Sequence, residues 1–209
     1  MYVPTHFEMG DEEVRAVLGS RLAGDLVTWS PDLGLDATTV PFVHAPAADG
    51  WGSLHGHLAR ANSHWRRSPA GEAMVILRGP DGYVSPSWYA SKREHGRVVP
   101  TWDYVAVHVH GELAVHDDAD WVRSVVERLT ELHETPRADP WSVDDAPADF
   151  VAKQLRAVVG IELRITRIEA KAKLSQNRSA DDVRGVVDGL RRDGHEALSA
   201  AVARAAERA

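Results

Sequence analysis

Three stretches carry side chains whose types and spacing can do chemistry: GSLHGHLARANSHWR at 52–66, VSPSWYASKREHGRVVPTWDY at 84–104 and KAKLSQNR at 171–178. Each mixes hydrogen-bonding groups with aromatics or cations. On a strand, HGHL puts His55 and His57 on one face and Gly56 and Leu58 on the other. Arg60 then supplies a planar, permanently charged fork of the kind that grips phosphate. Asn62 and nearby backbone groups can pair with the edge of a flat heterocycle, and His64 and Trp65 follow as the strand exits. The competing reading is a polar strand end whose groups meet water.

Pro86-Ser87-Trp88 and Pro100-Thr101-Trp102 each join a fixed backbone, a hydroxyl and an indole. Two such corners suit the rim of a planar aromatic ligand; the alternative is that both tryptophans fill a core or an interface. Lys92 and Arg93 lie on the polar linker between them, solvated or within reach of a phosphate. In KAKLSQNR, Lys171 and Lys173 alternate with Ala172 and Leu174, and Ser175, Gln176 and Asn177 cluster at a turn. A capped turn leading into a helix with Ser179 as N-cap explains that segment equally. His108 and His110, two apart with Glu112, have a spacing that can hold a metal. No third ligand of defining spacing accompanies them, so they read as exposed sheet histidines and no metal is expected. G-x-S-x-G, P-loop and G-x-G-x-x-G patterns are missing, which leaves a hydrolase or a Rossmann dehydrogenase without support. No side chain demands a general acid or base role, so no catalytic residue is named.

The elements that must position these groups follow from periodicity. Asp11 reads as the N-cap of DEEVRAVL, a helix with acids in its first turn and Gly19 as a stop. Strand-like runs follow at 26–29, 37–43, 53–59, 73–79 and 82–85, spaced as in an antiparallel barrel or sandwich. The longest strand signal spans 104–116, with Val105, Val107, Val109, Leu113 and Val115 on one face and Tyr104, His108, His110 and Glu112 on the other. Residues 117–134 form an amphipathic helix pattern capped by Asp117 or Asp118. A polar linker at 137–147 leads to a short helix carrying Phe150, Val151 and Leu155, then a strand over 159–169. From Ser179 the chain turns helical and ends Ala-rich. The expected organisation is one mainly β domain with flanking helices at 1–178, including the helix at 117–134, and a C-terminal helical extension at 179–209.

Bulk properties narrow the function classes. The 209 residues hold a sizeable core at 44% hydrophobic and 26% charged composition. No apolar run approaches the roughly 18 residues that span a bilayer, and the acidic N-terminus has no basic n-region or apolar h-region. Cysteine is absent, which removes disulfides, thiolate metal sites and cysteine nucleophiles. A cytoplasmic location is expected. The net charge of −7 and the scattering of arginines among acids argue against direct DNA binding through phosphates.

Read together, the motifs MYVPTHF, TTVPF, GSLHGHLARANSHWR, LRGPDGYVSPSWY, VVPTWDYVAVHVHGELAV, APADF, VGIELRITRIEAKAKLSQNR and GVVDGL resemble the PaiB family in order and nearly end to end. The resemblance implies an α+β, antiparallel FMN-binding split β-barrel acting as a homodimer with FMN between subunits, and a role in transcription regulation. It places Thr39, Val40, Pro41, His57, Leu58, Ala59, Arg60 and Asn62 in the flavin pocket, with Thr101, Trp102, Lys173, Ser175, Gln176 and Asn177 completing it. Three departures stand out. Thr39, Asp103 and the run Ala170-Lys171-Ala172-Lys173 replace a His, an Asn and a Gly-Lys-Trp-Lys common in the family. They remove a donor, add a negative charge beside an anionic cofactor and open a pocket wall. A flavin-dependent oxidoreductase acting on a small molecule is the first alternative. A related branch, the piperazate synthases, uses haem, and in that alternative His57 or His55 is the axial ligand.

Overall fold

A computed structural model describes residues 1–20, 23–67 and 71–208. Helix α1 (Asp11–Leu18) is followed by strands β1 (Ala23–Ser30), β2 (Gly34–Pro41), β3 (Val43–Ala45), β4 (Ser53–Ala59) and β5 (Ala73–Val84). Then come the single-turn helix α2 (Ser91–Glu94), β6 (Thr101–His116), α3 (Ala119–Glu134), α4 (Ala148–Arg156), β7 (Val158–Lys173), α5 (Ala180–Arg192) and α6 (Glu196–Ala206). The seven strands form one sheet in the order β2-β1-β5-β6-β7-β4-β3. The β1–β2, β1–β5, β3–β4 and β4–β7 pairs are antiparallel, with Leu26 opposite Thr38 and Val75, and His57 opposite Gly160. No helix among the described residues is long and apolar enough to cross a membrane.

The chain divides into two compact units. One comprises Met1–Val14, Arg78–Val107 and Glu169–Ala209; the other comprises Arg15–Leu77 and His108–Ile168. In the second unit, strand alternation puts Leu54, Gly56 and Leu58 of β4 inside and leaves Ser53, His55 and His57 half-buried. Leu26, Val40, Val75, Ile161 and Leu163 join that core, and α3 covers β3 and β4 with Val122, Val125 and Leu129. Each such fully buried aliphatic side chain contributes about 1.5–3 kcal/mol relative to an exposed one. Asp118 caps α3, its carboxylate accepting from Trp121 N at 2.8 Å, which leaves Asp117 free for another task. In the first unit, α5 and α6 pack together around Val186, Leu190, Leu198 and Val202. Ser179 caps α5, accepting from Asp182 N at 3.2 Å.

Three details depart from the sequence expectations. The runs at 73–79 and 82–85 form one strand through Pro80. The β1 partnership of β5 ends at Leu77, so by Pro80 the strand owes that neighbour no N–H donor. Phe150 is 52% exposed, whereas Val151 carries the buried face of α4. His108 and His110 are half-buried rather than exposed: His110 Nδ1 accepts from Arg167 at 2.9 Å and faces Glu72 at 4.0 Å.

Candidate functional site

The structure distributes the expected site residues over two sets, one in each unit. In the second unit the set centres on His64, which the 3₁₀ turn Ser63–Arg66 directs inward until it is 1% exposed. Its Nε2 lies 2.8 Å from Thr28 Oγ1 and its Nδ1 lies 2.9 Å from Thr38 Oγ1. Asn62 holds the turn, its Oδ1 accepting from His64 N at 2.9 Å while Nδ2 donates to Thr38 Oγ1 at 3.3 Å. Burial pushes the His64 pKa below its ordinary value, so the ring is a neutral member of the chain Asn62–Thr38–His64–Thr28. Beside it, Thr39 Oγ1 donates to Asp25 Oδ1 at 2.6 Å. Val40 and Leu58 are core residues, and Pro41 and Ala59 face outward.

Arg60 commits four of its five N–H donors. It forks onto Asp117, with Nη1 2.9 Å from Oδ2 and Nη2 2.5 Å from Oδ1, and also donates to the carbonyls of Arg156 and Val158 at 2.8 and 3.2 Å. A phosphate gripped by the Nη1/Nη2 fork of this guanidinium has to displace Asp117. The two histidines of HGH differ in the same way. His55 has Ser53 Oγ 2.9 Å from Nε2 and Arg128 Nη1 3.1 Å from Nδ1, with Glu162 at 3.7 Å. Burial, followed by the charge of Arg128, lowers its pKa. His57 is also lowered by burial, yet its Nδ1 is buried with no hydrogen-bond partner among the described residues. A buried unpaired ring nitrogen costs about 1–3 kcal/mol unless something else completes it. Of the two, His57 has a ring nitrogen left unsatisfied, whereas both ring nitrogens of His55 are engaged.

In the first unit the set centres on Asp103, which is fully buried. Lys173 Nζ donates to Thr101 Oγ1 at 2.6 Å, to the Trp102 carbonyl at 2.7 Å and to Asp103 Oδ1 at 3.0 Å, using all three of its protons. Ser175 Oγ donates to Asp103 Oδ2 at 2.6 Å, and Ser175 takes φ of 63°, a left-handed conformation that a non-glycine adopts at a cost of about 1–3 kcal/mol. The negative charge flagged at Asp103 is thus neutralised within its own unit. Gln176 braces the turn, accepting from Leu174 N and donating to the Ala172 carbonyl, both at 2.7 Å, while Asn177 is exposed. Trp102 is 52% exposed, its Nε1 donating to Asp81 Oδ2 at 2.8 Å, so the indole is held in place with a face toward solvent.

Thr101, Trp102, Lys173 and Ser175 are therefore brought together, whereas Asn62 meets Thr38 and His64 while Thr39, one residue along the strand, pairs with Asp25 instead. Sequence reasoning missed Thr28 and Thr38 as partners of His64, and Asp117 as the partner of Arg60. Thr28 sits between apolar residues in LVTW and reads as a β-branched core position. Its only signal is the strand alternation that puts it on the same face as Leu26.

Residues 1–167 match the family model described as "Putative FMN-binding domain". Among curated proteins, "Protease synthase and sporulation protein PAI 2" of Bacillus subtilis is 31% identical over 195 residues, covering 92% of this chain and 90% of that one. An uncharacterized protein of Saccharomyces cerevisiae is 31% identical over 158 residues, covering 66% of this chain and 94% of its own. Two solved structures share the fold. A conserved hypothetical protein of Mycobacterium tuberculosis superposes with a TM-score of 0.57 at 14% identity over 86% of this chain and 94% of the other. An FAD and haem binding protein of Mycobacterium smegmatis does so with 0.52 at 16% identity over 84% and 77%. The antiparallel sheet with flanking helices is the split-barrel architecture, and the chain belongs to the PaiB family of FMN-binding proteins.

Proposed function

We propose that this chain works as a cytoplasmic homodimer that holds FMN on its split barrel and influences transcription indirectly, through the state of the flavin. The observation that carries the reading is the buried, unpartnered Nδ1 of His57 on β4. Its lowered pKa keeps the imidazole neutral near pH 7, so the ring can donate to or accept from a heterocycle edge. In the first unit, considered by itself, Asp81 fixes the Trp102 indole with one face toward solvent, and the Lys173–Asp103–Ser175 cluster holds the adjoining backbone in place. Bound FMN supplies one- and two-electron redox chemistry, and the protein supplies position and polarity. The net charge of −7 opposes a direct grip on duplex phosphates, which is why regulation is placed on a partner rather than on DNA itself.

The test is FMN titration of the purified full-length chain by flavin fluorescence, with its mass in solution measured alongside. Saturable binding by a dimer, weakened about tenfold in His57→Phe for one lost hydrogen bond, is the expected result. Arg60→Ala should leave affinity nearly unchanged, because Arg60 already serves Asp117. A protein that ignores FMN, or a His57→Phe variant that binds it as well, defeats the assignment. A Soret band that His57→Phe abolishes would give the site to haem instead. Tight, salt-resistant binding of duplex DNA would overturn the indirect route.

A further inference from the structure

The first unit contains a second feature that the flavin reading does not use. A groove of about 900 Å³ runs between the segment Ser87–Arg93 and one face of α5, within the range of small-molecule sites. Four cations line it, Lys92 and Arg93 from α2 and Arg191 and Arg192 from α5, against a single carboxylate, Asp188. Such crowding is unexpected in a chain with seven more acids than bases. Arg191 is 3.6 Å from Asp188 and Lys92 donates to Ser87 Oγ at 3.0 Å, but Arg93 and Arg192 make no ion pair among the described residues. The C-terminal end of the α5 dipole favours Arg191 and Arg192. It does not account for Lys92 and Arg93 facing them.

The walls are built. Asp182 of α5 is 4% exposed and accepts from Ser91 N at 2.9 Å and from Ser91 Oγ at 2.8 Å, which pins the first residue of α2 to α5. Those bonds, which outweigh the cost of burial, hold its carboxyl below the usual range. Trp88 closes the floor against two glycines one turn apart. A Cβ at Gly185 would sit 1.9 Å from the Trp88 carbonyl oxygen, and one at Gly189 would sit 2.2 Å from the indole. Each glycine costs a helix interior about 1 kcal/mol relative to alanine. The sequence accepts two in order to bring this segment against α5.

We propose that this groove binds a small phosphorylated ligand carrying two or more phosphate charges, at a site separate from the flavin. The guanidinium forks of Arg93 and Arg192 suit phosphate oxygens, and Lys92 adds a point charge. The groove's lining shares no residue with the flavin set of Thr101, Trp102, Lys173 and Ser175 in the same unit.

Calorimetric titration of the full-length chain with pyrophosphate and with ADP at physiological salt tests this. Saturable binding of both is expected, at least tenfold weaker in the Arg93→Gln/Arg192→Gln double variant and less so in Lys92→Gln. Both substituted arginines are exposed, so the unfolding midpoint and FMN affinity should stay as they were. Tighter binding of ADP would add the nucleoside to the ligand, and equal binding would restrict recognition to phosphate. No saturable binding at millimolar ligand, or a double variant that binds equally well, overturns the site. Loss of FMN in the double variant would make the groove part of the flavin site, and displacement of ADP by duplex DNA would make it a nucleic-acid face; either ends the proposal.

Discussion

His64 and Asp103 are buried to nearly the same degree, 1% and 0% exposed, yet their surroundings differ in kind. His64 is neutral and shares hydrogen bonds with two threonine hydroxyls, so its polar chain carries no net charge. Asp103 is matched by an ammonium and a serine, and its full charge sits out of water against a counter-charge that is only partly buried. A neutral chain that loses one link leaves a buried polar group unpaired, at a cost of about 1–3 kcal/mol. A buried ion pair is hardly better than an apolar replacement, but breaking it strands a charge at a cost of about 3–5 kcal/mol. The two regions should therefore answer mutation very differently.

The largest effect is expected at Asp103. Replacing it by Ala leaves Lys173 with two neutral acceptors and no counter-charge, and frees Ser175 from the bond that accompanies its left-handed backbone. A loss of about 3–5 kcal/mol in urea unfolding is predicted. Asp103→Asn keeps the shape and an acceptor for Ser175, so it should cost less. An Asp103→Ala variant as stable as the parent would mean that the pair carries no weight and that the two regions are alike.

How far the sequence revealed these regions depends on how each is encoded. The strand β4 was legible to the residue because its alternation is strict and both ends carry small residues. The span of α3 was legible from its apolar stripe, although the sequence could not choose between Asp117 and Asp118 as cap. That choice is set by Arg60, which is 57 residues away. The grouping of Thr101 and Trp102 with Lys173 and Ser175 came from resemblance and from nothing local, since 72 residues separate the serine from Asp103. The His64 chain was half visible: Asn62 and His64 stand two apart, but Thr28 and Thr38 reach them through sheet pairing that no spacing announces. Asp103 itself read as an unfavourable charge because its partners lie on another strand.

Next in size is the neutral chain. Thr28→Val removes the partner of His64 Nε2 while preserving shape, and a buried ring nitrogen left unpaired should cost about 1–3 kcal/mol. The same residue gives the regions different pH responses. His55, His57 and His64 all have pKa values lowered from 6.5, burial being the largest cause in each. The unfolded chain then binds protons that the folded chain refuses, so stability is complete above about pH 6.5 and declines as pH falls from there toward the lower folded values. The carboxylates with lowered pKa, Glu72, Asp117, Glu162 and Asp182, act in a separate window, below their ordinary values of 3.8 to 4.5. Unfolding midpoints should fall between about pH 7.5 and pH 5.5, with a shallower slope in His64→Gln. A midpoint that rises over that interval would show that a gained charge, not a buried neutral ring, governs the response.

The smallest effect separates cap from chain at Asn62. Its Oδ1 satisfies the N–H of His64 at the start of the 3₁₀ turn, and its amide gives Thr38 a longer bond. Asn62→Ala removes both and should cost about 1 kcal/mol, the usual worth of such a cap. Asn62→Asp keeps the acceptor and deletes the donor, and it adds a carboxylate near the imidazole that favours protonation. If capping is the main role, Asn62→Asp matches the parent at pH 8 and loses less than the parent on acidification. If the donor to Thr38 matters more, Asn62→Asp falls as far as Asn62→Ala at both values. In that case the hydroxyl chain orders the turn, and the neutral region is as cooperative as the charged one.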